Sequence, residues 1–386
     1  MTVTLTQIAP LEKPTQPIAP IVEFSIYRYQ APLILPFTIS QGRHDGADNF
    51  YCQLTDAEGR IGYGEAAPLP ALTGEDPELV LQAIRDLCQS FLGLTAFDGL
   101  QSPLLSNDGR NRRKEPLPSA TTAVEMALWD LWGKSEGKAL YDLWSGDQTA
   151  VRFRTTDITV PILPMNQLDQ FLTHITPMRF PVLKFKLGHE PTDTAVERIH
   201  HALSYVPQAS YSLDGNQGLT EKQVKDLIRG LAHETRRPLF LEQPLPKDDW
   251  AGMARLTASG LIPICADETV ASLEDAYKVI ETQAANMINL KFMKAGIAAS
   301  RAIAALTQKT GLGLMIGGMV ESDVGMTASL HLACALHIPH IDLDTPFFFS
   351  DRLTSESPYH QGTAELRVPN QPGIGISLKT SLLREA

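Results

Sequence analysis

Four apolar runs in the second half of this 386-residue chain end in a charged residue at nearly constant spacing. Asp214 closes YSLD, Glu242 closes LFLE, Asp267 closes PICAD and Lys291 closes INLK, separated by 28, 25 and 24 residues. Each step is the length of one strand plus one helix and its turns. A single aspartate at a strand end is ordinarily a helix cap or a turn residue; the same register on four successive units is not. Burying a charge there is expensive unless it is paired or bound to a metal. The chain must therefore gather these strand ends into one pocket, which the C-terminal mouth of a parallel β/α barrel does.

The rest of the pattern agrees. Apolar runs at 152–158, 180–186, 210–214, 238–242, 261–267, 287–291, 312–317 and 341–344 make eight strands with helix-length sequence between them. Thr220 with Gln223 is a capping-box pair, Ser272 with Asp275 a weaker one, and Gly311 a helix stop. These predict an α/β fold with a (β/α)8 barrel over 151–354; an open doubly wound sheet is the structural alternative. Upstream, VEFSIYRY, NFYCQL and, after the turn DAEG, RIGYGEA read as antiparallel strands. Helices follow from Asp76 and from Ser119, with Ser119 as N-cap and Gly137 as stop. Residues 21–150 are thus expected to form an α+β unit. Residues 1–20, with four prolines, read as a flexible extended tail, 109–116 as a solvated basic loop, and 355–386 as a segment returning to the N-terminal unit.

Composition narrows the function. With 33 basic and 44 acidic residues, net charge is −11 and pI near 5.4, against a nucleic-acid or anionic-membrane surface. No apolar run is long enough to span a bilayer, and no signal-peptide pattern opens the chain. Cys52, Cys88, Cys265 and Cys334 form no CxxC pair, which suits a reducing compartment, and the cytoplasm is expected. His331, His337 and His340 lack a zinc spacing.

Three carboxylates from adjacent strands, Asp214, Glu242 and Asp267, make an oxygen-only donor set that suits Mg2+. Lysines flank them: Lys184 and Lys186 share one face of the second strand, and Lys291 ends the sixth. Their neighbours are expected to lower their pKa values toward those of usable bases. A substrate carboxylate on the metal would have a more acidic α-proton, and the enediolate charge would have a cation beside it. One lysine could remove that proton and the other return it on the opposite face, giving racemisation or epimerisation. With a leaving group β to the acid, elimination is the alternative.

These residues resemble the enolase superfamily in its muconate-lactonizing-enzyme subgroup. KFKLG (184–188), LDGNQG (213–218), EQPL (242–245), ADET (266–269), NLKFMKAG (289–296) and GGMVES (317–322) look like its motifs, and the likeness spans about 21–378. It implies Lys186 and Lys291 as the acid/base pair, Asp214, Glu242 and Asp267 as ligands of Mg2+, and Asn216 and Glu268 as neighbours of the metal. It also implies Lys184, Met319 and Glu321 as substrate contacts, and a cap over the barrel mouth built from the N-terminal region and the C-terminal tail. HIDLDTP (340–346) is similar to the DxD motif of dipeptide epimerases of the L-Ala-D/L-Glu type. There the two aspartates, here Asp342 and Asp344, hold the substrate α-ammonium group. The implied function is a Mg2+-dependent dipeptide epimerase working by two-base 1,1-proton transfer, and a homo-oligomer is the expected assembly. An o-succinylbenzoate synthase, a cycloisomerase or an N-acylamino-acid racemase is the alternative. Ala-Glu epimerases carry an arginine in the loop after the first strand; a gapless alignment puts Gly42 there, with Arg43 next. Either Arg43 or His44 receives an acidic side chain, or the dipeptide's second residue is not acidic.

Overall fold

The computed structural model describes residues 11, 13–14, 17–39, 42–105, 117–146, 148–188, 190–234 and 236–386, without the side chains of 35–39 and 42–45. Residues 1–10 of the expected tail, the basic loop 109–116 and the Arg43 side chain lie outside the described residues.

The N-terminal unit opens with β1 (Ile21–Ile39), β2 (Gly42–Asp56) and β3 (Ile61–Ala66), an antiparallel meander with Tyr27 opposite Tyr51 and Cys52 opposite Gly64. Its inner face packs on the long helix Pro118–Glu136, which is buried along almost its whole length. The approach is close enough to require glycine: a Cβ on Gly64 would lie 1.8 Å from the Ala123 carbonyl oxygen, and one on Gly62 2.2 Å from that of Ala127. The helix Pro77–Phe91 starts at Asp76, whose carboxylate accepts the Glu78 and Leu79 N–H groups. Ser119 is not the N-cap expected. The long helix begins one residue earlier, because Pro118 has its φ preset for a first turn. Ser119 instead donates its N–H and Oγ–H to buried Glu75 Oε1, at 2.9 and 2.8 Å. Gly137 ends the helix in the left-handed region, as expected (φ 67°).

The barrel is one eight-stranded parallel sheet. In order around it stand β5 (Ile158–Val160), β6 (Val182–Lys186), β7 (Ser210–Asp214), β8 (Leu241–Glu242), β9 (Ile264–Ala266), β10 (Met287–Leu290), β11 (Gly313–Gly317) and β12 (His340–Asp342). First and last strands meet through the Asp157 N–H on the Ile341 carbonyl (3.2 Å) and the Leu343 N–H on Thr156 Oγ1 (3.0 Å). The expected first strand, 152–158, proves to be two elements. Phe153–Thr155 (β4) is mostly exposed and pairs antiparallel with Glu365–Arg367 (β13), and the barrel strand proper begins at Ile158. Both caps expected from sequence form: Thr220 with Gln223 is a full capping box, and Ser272 accepts the Asp275 N–H. Past β13 the chain runs back along the long helix, where Asp130 Oδ1 accepts the Ile374 N–H (2.8 Å), and ends with Arg384–Glu385 (β14) beside β1.

Two buried glutamates tie the N-terminal unit to the barrel. Glu125 on the long helix caps the helix Ile297–Thr310 by accepting the Ile297 and Ala298 N–H groups, each at 2.7 Å. Glu65 on β3 accepts from Asn49, Tyr51, the Ser322 N–H and hydroxyl, and the Gly325 N–H, all within 2.9 Å. It thereby fixes the loop after β11 over the mouth.

Candidate active site

The charged strand ends converge as their register requires. β6, β7 and β8 are in step, with Lys186 opposite Asp214 and Asp214 opposite Glu242; Asp267 follows β9 and Lys291 follows β10. Asp214, Glu242 and Asp267 are fully buried. Four ammonium groups meet them. Lys186 Nζ lies 2.7 Å from Asp214 Oδ2, and Lys184 Nζ stands among Asp214 Oδ2 (3.1 Å), Glu242 Oε2 (2.7 Å) and Asp342 Oδ2 (2.6 Å). Across the barrel, Lys291 Nζ is 2.8 Å from Asp267 Oδ2 and Lys294 Nζ 2.5 Å from Asp267 Oδ1.

The electrostatics follow from burial and these pairs. Burial alone would raise the Asp267 carboxyl, but Lys291 and Lys294 hold it well below the usual range; at Asp214 burial is likewise outweighed, and Lys186 and Lys184 lower it. Glu242 is the exception. Burial and the neighbouring Asp214 push it up to about 7 against the pull of Lys184. Glu268 rises to about 8 through burial and Asp267. The expected lowering of the lysines is not found for Lys184 or Lys291. Burial favours the neutral amine, but Asp342, Glu242 and Asp214 outweigh it at Lys184, and Asp267 and Glu242 at Lys291, so both are raised.

The remaining candidates sit around this core. The Asn216 N–H donates to Asp214 Oδ1 (2.9 Å) and its side-chain amide reaches Glu268 Oε1 (3.4 Å). Asp342 and Asp344 are both buried; Asp344 Oδ2 accepts the Thr159 N–H at 2.5 Å. Lys184 holds Asp342 low, at about 2, while burial and Asp342 push Asp344 up to about 7. Lys186, Met319, Asp342 and Asp344 line one cavity of about 30 Å³ together with Thr159 and Phe348. Glu321 turns back to accept the Met319 N–H, and burial beside Glu65 pushes it up to about 8. Lys184, expected as a substrate contact, is wholly buried and does not line this cavity. A larger cavity, about 720 Å³, lies at the opposite ends of the strands, beside Asn286 and Gly311.

Sequence reading missed Lys294, Asn289 and Asp157. Lys294 also donates to the carbonyls of Asp267 (2.5 Å) and Asn289 (3.2 Å), and Asn289 Nδ2 donates to Glu242 Oε1 (2.7 Å). Asn289 was legible, standing two residues before Lys291 on the same inward face. Asp157 is buried beside Asp342 and Asp344 at the barrel seam.

The donor set has the chemistry for a divalent cation such as Mg2+, with ligand oxygens of Asp214, Glu242 and Asp267 that do not all lie within 4.8 Å of one another. It is all oxygen, wholly buried, and leaves Glu242 Oε2, Asp267 Oδ2 and Glu268 Oε2 without a well-directed hydrogen bond.

Comparison with known proteins decides the family. The N-terminal domain of the mandelate racemase / muconate lactonizing enzyme family matches residues 21–144, and the enolase C-terminal domain-like family matches 169–382. The chain belongs to the mandelate racemase / muconate lactonizing enzyme family. Within it, a hydrophobic dipeptide epimerase of Citrifermentans bemidjiense is 34% identical over 91% of this chain and 96% of its own length. The L-Ala-D/L-Glu epimerase of Bacillus subtilis is 30% identical over 92% of this chain and 96% of its own. Among solved structures, a substrate-liganded complex of the L-Ala-D/L-Glu epimerase from Bacillus subtilis superposes with a TM-score of 0.85 at 29% identity, covering 95% of this chain and 99% of that one. The dipeptide epimerase of Enterococcus faecalis V583, in complex with Mg and the dipeptide L-Leu-L-Tyr, also gives 0.85, at 28% identity over 93% and 99%.

Proposed function

We propose that this protein is a Mg2+-dependent dipeptide epimerase that inverts the α-carbon beside the C-terminal carboxylate. The observation that carries the reading is the placing of two buried lysines, Lys186 on the second barrel strand and Lys291 after the sixth, four strands apart, with the carboxylates between them. Strands four apart in an eight-strand barrel face each other across the mouth. A proton can then be taken from one face of an α-carbon and delivered to the other.

Asp214, Glu242 and Asp267 would hold the ion, with Asn216 and Glu268 beside them. Mg2+ supplies positive charge for the substrate carboxylate, which makes the α-proton more acidic. Lys186 and Lys291 alternate as base and acid at that carbon. Asp342 and Asp344 take the substrate's α-ammonium, since a cation in a closed site needs paired carboxylates. Met319 and Glu321, held by the loop that Glu65 anchors, shape the wall beside the substrate, and Arg43 stands in the chain segment expected to meet the second side chain. Lys184 neutralises Asp214, Glu242 and Asp342 from below and sets their positions.

The relatives named as dipeptide epimerases, at 30–34% identity over nine-tenths of the chain, support this reading over dehydration or cycloisomerisation. So does the aspartate pair, which has no use for a substrate lacking an amine. The reaction needs no membrane or nucleic acid, and no helix among the described residues is long and apolar enough to cross a bilayer. A cytoplasmic homo-oligomer is the assembly we expect. The test is to incubate the protein with Mg2+ and a dipeptide library in deuterated water and to read α-deuterium by mass. Incorporation into the C-terminal residue of some dipeptides is expected. None in any dipeptide, with the protein folded and metal-loaded, would contradict the reading.

A further inference from the structure

Gln243 follows Glu242 directly and is wholly buried. Its φ is 28°, in the left-handed region that a non-glycine residue enters only where its surroundings hold it there. Its main chain binds the strand ends on both sides. The carbonyl accepts the Gln217 N–H from the turn after Asp214 (2.8 Å), and the N–H donates to the Cys265 carbonyl, two residues before Asp267 (2.9 Å). The side chain ties them further. Oε1 accepts the Asp267 and Thr269 N–H groups, each at 3.0 Å, and Nε2 donates to the Leu245 carbonyl (2.9 Å) and to Thr269 Oγ1 (2.8 Å). An amide has two acceptor sites and two donor hydrogens, so its capacity is used in full. Main-chain donors at one end and a main-chain carbonyl at the other fix which way it faces. Neither a carboxylate nor a hydrocarbon of the same length could make all four bonds.

We infer that Gln243 is a positioning residue for the cation, a brace that locks the strand ends bearing Asp214, Glu242 and Asp267 into one unit. The inference rests on the assignment of those three carboxylates to Mg2+ in the reading above. With their main chains held in register, the carboxylates have only side-chain torsions left to adjust when a cation draws their oxygens together. Such a brace matters more to one ion than to another. Mg2+ demands near-ideal octahedral geometry at about 2.0–2.1 Å, whereas Ca2+ accepts less regular contacts at about 2.3–2.6 Å. Gln243 thus bears on which ion is held as well as on how tightly.

The test is calorimetry with Mg2+ alone and with Ca2+ alone, on the full chain without dipeptide. Gln243→Met keeps the length of the side chain and removes all four of its hydrogen bonds. It should raise the Kd for Mg2+ about 10- to 100-fold, the range for partners that orient metal ligands, and the Kd for Ca2+ by no more than about 3-fold. A merely structural role would lower the unfolding midpoint and leave both affinities of the folded protein as they were; that outcome overturns the inference. So does an equal loss for the two ions. Should Gln243→Met not fold, Thr269→Val decides. It removes the hydroxyl that takes one Nε2 hydrogen, and should weaken Mg2+ about 3- to 10-fold and Ca2+ less. Unchanged Mg2+ affinity in that variant overturns the inference. The expected loss of selectivity in a protein whose wild type turns over no dipeptide would support the brace and contradict the epimerase reading. A wild type that binds neither ion would contradict the metal assignment, and the brace with it.

Discussion

The two sides of the barrel mouth solve one problem with different backbones. On the β6 side, Lys184 and Lys186 grip Asp214 from alternate positions of a strand, where residues two apart share a face. On the β10 side, Lys291 and Lys294 grip Asp267 from the end of a strand and the helical turn Phe292–Ala295 that follows, where residues three apart share a face. In the proposed reaction one lysine of each pair reaches the substrate and the other holds a carboxylate in position. The supporting lysines differ in what depends on them. Lys184 is shared by three carboxylates, whereas Lys294 serves one aspartate and two main-chain carbonyls. Glu242, between the two sides, is met by Lys184 and Asn289 among the described residues, and alone of the three rises toward neutral pH.

Removing the metal should show the largest effect. Chelation is expected to lower epimerisation by a factor on the order of 10³ while circular dichroism stays near native, because the four lysines already neutralise the carboxylates. Unfolding on chelation would mean that the ammonium pairs do not support the mouth as described.

Lys184→Met comes next. It leaves three buried carboxylates without their shared ammonium, and a loss of about 3–5 kcal/mol is expected from denaturant unfolding. Added Mg2+ should restore part of it, since a cation re-enters the same group of oxygens. Lys294→Met should cost less, about 1–3 kcal/mol, because Asp267 keeps Lys291. Equal losses in the two variants would break the contrast between a shared and a dedicated lysine.

A pH-dependent effect concerns Glu321, whose carboxyl is raised by burial and Glu65 against the pull of Lys291. Burial lifts its carboxyl from 4.5 to about 8. The folded protein therefore binds a proton that the unfolded chain has lost, and stability falls as pH rises from about 4.5 to about 8. Glu321→Gln should flatten that fall by no more than about 1.4 kcal/mol per pH unit, read from denaturation midpoints across the range. A steeper slope in the variant would reverse the sign of the account.

The same contrast explains what the sequence made legible. Alternation along a strand and recurrence every 24–28 residues are strong signals, and they carried Lys184, Lys186, Asp214, Glu242, Asp267 and Lys291 without help from the structure. Lys294 lies outside that period, because the backbone changes to a helical turn after Lys291 and a spacing of three reads as an exposed helix lysine. Asp157 was hidden for a different reason. In RFRTTDI the strand break after Thr155 has no glycine or proline to mark it, so the inward side of 157 could not be told from the outward side of 153. Pro118 displaced Ser119 as the start of its helix, which needed the distant Glu75 to explain. The lowering expected at Lys184 and Lys291 fails because a lysine is legible in the sequence while its neighbours are not: Lys291 Nζ stands 2.8 Å from Asp267 Oδ2, and that carboxylate favours the charged ammonium.

The most direct test of two lysines serving opposite faces is stereochemical. Lys186→Ala and Lys291→Ala are each incubated with Mg2+ and with the two epimers of one dipeptide separately, in deuterated water. Net epimerisation, followed by polarimetry, and α-deuterium, followed by mass, are recorded together. Both variants should lose net epimerisation by about 10²- to 10⁴-fold, the range for removal of a general acid or base. Where residual exchange remains, it should proceed with retention, in one epimer for Lys186→Ala and in the other for Lys291→Ala. Epimerisation near the wild-type rate in either variant, or exchange of the same epimer in both, would contradict the account.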